Sequence, residues 1–147
     1  MGGKFAFKRS FVIPVKVNTH VPPEKTTLGD RKKLALWAAA CAEHVAVAFA
    51  SLMTDDRPRH AIDGARAWVE GKISVAEARR LAFAAHAAAR STPDPKAKAA
   101  ARSAAHAAAT AHVAGHATHA AHYAIKAAPD PHREKAWQSY MLEEMIR

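Results

Sequence analysis

Ten histidines in 147 residues are the feature with the most chemical potential. His112, His116 and His119 recur at i, i+4 and i+7, which on a helix gathers three imidazoles into one narrow arc, with His122 at its edge. Imidazoles at i and i+4 can chelate Zn²⁺ or Cu²⁺ from a single helix face. The helical metalloprotease motif also sets a Glu beside the first His; here that neighbour is Val113, and no acidic residue lies between Asp94 and Asp130. A further ligand must therefore come from another helix. A hairpin turning at residues 91–94 sets Val69 to Ser74 opposite His112 and His116, which makes Glu70 the candidate carboxylate. The same hairpin separates His86 from His112 by roughly 20 Å along the axis, so His86 is expected to stay outside the cluster. The competing reading is a polar seam of imidazoles between Ala faces. That seam, with no cofactor, is the expectation.

Nucleophilic chemistry has little to build on. Cys41 falls on an apolar helical stripe, where a thiol is structural and inert, and His44 three residues on does not by itself make a dyad. There is no Gly-x-Ser-x-Gly, no phosphate-binding Gly loop and no Cys-x-x-Cys. An enzyme is not expected. The segment Asp55-Asp56-Arg57-Pro58-Arg59 packs opposite charges into a helix start. Its Arg forks suit carboxylates on a partner, but the same residues can cap the helix and brace the turn before it.

Basic charge is concentrated near the N-terminus. The net charge is +9, yet residues 1–33 hold eight of the 22 Lys and Arg against only Glu24 and Asp30. Residues 1–28 read as an extended basic arm. Phe5, Phe7 and Phe11 interleave with Lys8 and Arg9, while Pro14, Pro22 and Pro23 forbid a helix. Such an arm can touch phosphates, with Lys8, Arg9, Lys32 and Lys33 as candidates for a nucleic acid. The run from Phe11 to Val17 is broken by Pro14 and Lys16, so neither a signal peptide nor a membrane span is expected, and a cytoplasmic protein is the default. One Cys excludes an internal disulfide.

The elements that must position these groups are helices. Ala makes up roughly a quarter of the chain and favours helix over strand. A first helix starts near Asp30, with Thr27 and Asp30 as a capping pair, and carries Leu34, Trp37, Cys41, Val45, Ala48, Phe49 and Leu52 on one face until Thr54. Pro58 opens a second helix that Gly71 closes, and Ser74 with Glu77 forms the capping box of a third. Asp94-Pro95 starts a fourth helix, which runs from Lys96 to about Ala128 unless Gly115 bends it. Pro129-Asp130-Pro131 starts the last one, burying Trp137, Tyr140, Met141 and Met145. Ala-Ala-His-Ala-Ala-Ala at 84–89 and again at 104–109 reads as low complexity rather than a repeat. The expectation is an all-α, Ala-rich bundle of about five helices over residues 29–147. Trp37, Phe49, Trp68, Phe83, Tyr123 and Trp137 are its aromatic anchors.

Trp37–Glu43, Asp55–Ile62 and Ala65–Trp68, followed by Ala84–Arg90 and Thr110–Ala117, resemble the Imm-5-like immunity protein family over roughly residues 30–128. The resemblance implies a small helical cytoplasmic protein of a bacterium. It would bind and neutralise a cognate toxin stoichiometrically, without turnover or cofactor. Asp55, Asp56, Arg57, Arg59 and Arg66 are then the candidate partner contacts. Self-association stays open.

Overall fold

The computed structural model describes residues 26–146, which form six helices and no strand. In chain order they are α1 (Leu28–Ala46, extended by a 3₁₀ turn at Val47–Phe49), α2 (Arg57–Val69), α3 (Val75–Arg90), α4 (Pro95–Ala109), α5 (His116–Ala127) and α6 (Pro131–Ile146). Of the extended arm expected over residues 1–28, residues 1–25, with Lys8 and Arg9, lie outside the described residues, while Thr27 caps α1 and Leu28 opens it.

The boundaries follow from local chemistry. The Thr27 hydroxyl accepts the Asp30 N–H, and Ser74 and Glu77 exchange both bonds of a capping box. Asp94 accepts the Ala97 N–H while Pro95 opens α4. α2 ends in a Schellman turn: Lys72 N–H donates to Ala67 O and Gly71 N–H to Trp68 O. That turn needs φ of +76° at Gly71, which only glycine adopts without strain.

The long fourth helix of the sequence reading divides instead at residues 110–115. Thr110, Val113 and Gly115 are weak helix formers, and Thr110 Oγ1 turns back onto His106 O. The larger reason is burial. Unbroken, this helix would leave the Ala face of one half without a partner, whereas the hairpin buries Ala101, Ala104, Ala105 and Ala108 together with Ala117, Ala120 and Ala124. Ser103, fully buried, donates its Oγ–H to Ala120 O at 2.7 Å and fixes the antiparallel register. Lys96 Nζ donates to Lys126 O and Ala128 O at the α5 C-terminus, where a cation suits the helix dipole.

Most of the core is Ala. The largest fully buried side chains are Trp37, Ile62, Leu142 and Val45, followed by the smaller Thr110, Cys41 and Ser103. Helices meeting through Ala approach to about 8 Å, so many short contacts replace a few large ones. At the α2–α3 crossing Gly64 leaves room for the Leu81 side chain, whose end a Cβ on Gly64 would run into.

Four expected core residues lie elsewhere. Phe83 is 63% exposed, because α3 buries Ala78, Ala82, Ala85 and Ala89 and turns Phe83 outward under the Arg79 guanidinium. Tyr140 is 57% exposed: α6 buries Glu134, Gln138 and Leu142, a seam hidden from a hydrophobic-pattern reading by its two polar members. Those two are satisfied. Gln138 Nε2–H donates to Ala121 O, and Gln138 O accepts the indole N–H of Trp37 at 2.8 Å. Ala48 and Leu52 are exposed because α1 ends at Ala46 and the chain tightens into the 3₁₀ turn. Tyr123 and Trp137 are half-buried against the core, and Phe49 and Trp68 are buried, as expected of anchors.

Candidate functional site

The α1–α2 corner collects every charged residue singled out near residue 55. Asp55 stands one residue before the cap position of α2 and still satisfies a first-turn donor. Its carboxylate accepts the Arg57 backbone N–H and lies against the Arg57 guanidinium, Oδ2 to Nη2 at 2.6 Å. These hydrogen bonds pull the Asp55 carboxyl down to about 2. Asp56 occupies the cap position but makes no side-chain cap bond, and it sits 3.6 Å from His60. The Asp55–Arg57 pair thus braces the turn.

Arg59 and Arg66, seven residues apart, share one face of α2 and close on a single acid that sequence reasoning missed. Glu43 of α1 receives Arg59 at 2.9 Å on Oε2 and Arg66 at 2.6 Å on Oε1, and Asp63 lies 3.5 Å from Arg59. The signal was there: two Arg at i and i+7, and one acid beside the apolar stripe of the preceding helix.

Beside this clamp lies a recess of about 400 Å³. Ala46, Met53, Pro58 and Ile62 line it along with Ala100 and Ala104 of α4, while Asp55, Asp56 and Arg59 stand at its rim. A second hollow of about 270 Å³ shares Met53, Thr54, Asp55 and Pro58 and continues towards Ser91–Pro93. Val47 (73% exposed) and Leu52 (61%) carry apolar surface out from the corner. An apolar floor, a charged rim and adjoining exposed aliphatics make a surface suited to another macromolecule.

The other candidates are dispersed or regrouped. Cys41 is buried, and burial first, then the charge of Glu134, pushes its thiol well above the usual range. His44 turns away from it, stacking on Trp137 with its Nδ1 2.7 Å from Glu134. No dyad forms there. Lys32 and Lys33 lie in the first turns of α1, Lys33 exposed. Glu70 is exposed and bound to Lys72 at 2.8 Å, so the expected carboxylate does not join the imidazoles. His112 sits exposed in the 110–115 turn, off the helix that bears His116 and His119.

The hairpin brings His106 against His116 and His119 instead, and brings His86 against His106. The expected exclusion of His86 was wrong because it assumed an unbroken helix. Among the described residues, no three His, Cys, Asp or Glu side chains are arranged to hold a metal ion. Nor is any helix there long and apolar enough to cross a membrane.

These features define an all-α, Ala-packed bundle with a charge-rimmed apolar recess at a helix corner. The chain belongs to the family described as "Imm-5 like putative immunity protein", whose pattern matches residues 24–144. That span takes in all of α1 to α5 and nearly all of α6, more than the stretch over which the sequence motifs are visible. No curated protein and no solved structure matches the chain.

Proposed function

We propose that the chain neutralises a cognate protein toxin by binding it at the α1–α2 corner, with the recess as the anchor site. The observation that carries this reading is the pairing of the family match over residues 24–144 with a recess built from residues inside that span. Mechanistically, a partner's apolar side chain enters between Met53, Pro58 and Ile62. Asp56 and the outer edges of Asp55 and Arg59 then engage its polar rim. The bundle contributes rigidity: a surface already held by Asp55–Arg57 and the Glu43 clamp has little ordering left to do on association. Blocking a toxin in this way is stoichiometric and needs no turnover.

The test is co-expression with each candidate toxin that neighbouring genes encode, read as growth rescue and as a purified complex. Ala50→Trp, at the exposed mouth of the recess, is expected to abolish rescue while circular dichroism stays native. Ala136→Trp, exposed on α6, is expected to leave rescue intact. Failure of every neighbouring toxin to bind, or full rescue by Ala50→Trp, overturns the proposal.

A further inference from the structure

Four imidazoles supplied by three helices meet along the α3, α4 and α5 packing. His106 is central: its ring centroid lies 4.9 Å from His86, 5.1 Å from His116 and 5.1 Å from His119. It also stacks on Tyr123, at 5.4 Å and 7°. His106 Nδ1 and His116 Nδ1 are 2.9 Å apart, so one must donate its hydrogen to the other's lone pair, and the pair shares one proton at that contact. His86 Nδ1 is 2.9 Å from Arg102 Nη1; since guanidinium only donates, this nitrogen is an acceptor and His86 is neutral.

The charges that reach the cluster are cationic on every side. Arg102 comes from α4, Arg90 from α3 and His112 from the turn, and Lys126 of α5 lies over the Tyr123 ring. The carboxylates of the surrounding elements are engaged elsewhere. Glu77 of α3 is in its capping box, Asp94 holds the start of α4, and α5 has no acid. Glu43 holds Arg59 and Arg66, Asp63 neighbours Arg59, and Glu134 of α6 holds His44.

We propose that this cluster is a proton-sensitive latch: neutral, it clasps α5 and the 110–115 turn onto α3 and α4, and falling pH weakens that clasp because the opened form takes up protons that the closed form refuses. A second positive charge here meets Arg102 and other imidazoles at contact distance, with no carboxylate among the described residues placed to receive it. Tyr123 offers an imidazolium a cation–π contact, which is small beside several like charges. Burial, and then the charges of His86, His116, His119 and Arg102, hold His106 down to about 3; burial also lowers His86 and His116. An unfolded imidazole titrates near 6.5, so between pH 6.5 and 3 the unfolded chain binds more protons than the folded one. Stability is therefore complete above about pH 6.5 and falls as the pH drops through that window. The latch does not depend on the toxin-binding reading.

The experiment uses the full, tag-free chain between pH 7.5 and 4. Histidine ring NMR is expected to show His106 still neutral at pH 5. Hydrogen exchange, corrected for intrinsic pH dependence, is expected to rise first over residues 110–127. Relative to wild type, His106→Phe keeps a planar ring on Tyr123 but cannot protonate, and its thermal midpoint should fall less between pH 7 and 5. Titration of all four rings near 6.5, or an identical pH slope in His106→Phe, overturns the latch. If His106→Phe does not fold, the wild-type ring titration and exchange pattern decide alone.

Discussion

Substituting Glu43→Gln tests whether the α2 arginines are held ready for a partner or merely decorate the surface. One carboxylate serves two guanidinium groups, at 2.9 Å and 2.6 Å, and all three side chains are between a third and a half exposed. Exposed pairs of this kind contribute about 0.3–0.5 kcal/mol each, because water screens them and two long side chains must be ordered. Sharing one acid makes the loss about 1 kcal/mol, or a thermal midpoint lower by roughly 3–5 °C for a chain of this length. Half a molar salt should remove most of the difference.

The effect on a partner is separable from the effect on stability. A freed Arg59 must be ordered again on binding, which costs about 0.5–1.5 kcal/mol per side chain and weakens affinity roughly two- to tenfold. Scanning calorimetry at two salt concentrations, a Glu43→Gln/Arg59→Ala double-mutant cycle and titration against whichever partner the co-expression test identifies measure the three quantities. A cycle coupling energy near zero at low salt would refute the clamp. Unchanged affinity in Glu43→Gln, when Arg59→Ala loses it, would refute the preorganisation argument.

Trp37→Phe removes the buried bond to Gln138 O and leaves a void of roughly 40 Å³, at about 24 cal/mol per Å³. Together with about 1 kcal/mol for the bond, this is expected to cost about 2–3 kcal/mol in urea unfolding followed by circular dichroism. Ala101→Leu and Ala105→Leu, both at 0% exposed positions, are expected to destabilise by about 1–3 kcal/mol each despite their added apolar surface, with Ala136→Leu near neutral by the same assay. Cys41 is expected to react with a thiol reagent at pH 8 about a hundredfold more slowly than a free thiol, and to speed up only as urea opens the fold.

What the sequence makes legible is whatever is written within a few residues. Thr27, Ser74 with Glu77, Gly71 and Asp94-Pro95 act through neighbours three or four positions away, so they mark their boundaries without knowledge of the fold. The family resemblance is legible for a similar reason, since its motifs are contiguous runs. The break at 110–115 is not local in that sense. Nothing from Thr110 to Gly115 forbids a helix, and the turn exists because two Ala faces bury each other across it. Missing it misplaced every distance that depended on an unbroken axis, His86 to the other imidazoles above all. The seam of α6 is hidden likewise: Glu134 and Gln138 look like surface residues until His44 and Ala121 O stand opposite them.

An Ala-packed interior limits where recognition can occur. Closely packed helices leave no room between them for a guest, and a side chain added to one moves its neighbours instead. Space for a guest side chain opens where a helix stops and the next has not yet closed over it. The α1–α2 corner is such a place. α1 tightens into a 3₁₀ turn at Val47, the chain runs without helix from Met53 to Asp56, and Pro58 restarts it. Ala100 and Ala104 of α4, whose methyl groups are too short to fill the gap, then become the floor of a hollow of about 400 Å³. The small residues that let the bundle pack are thus the ones that leave its corner open, and the charges needed to stiffen that corner stand where a partner would meet them.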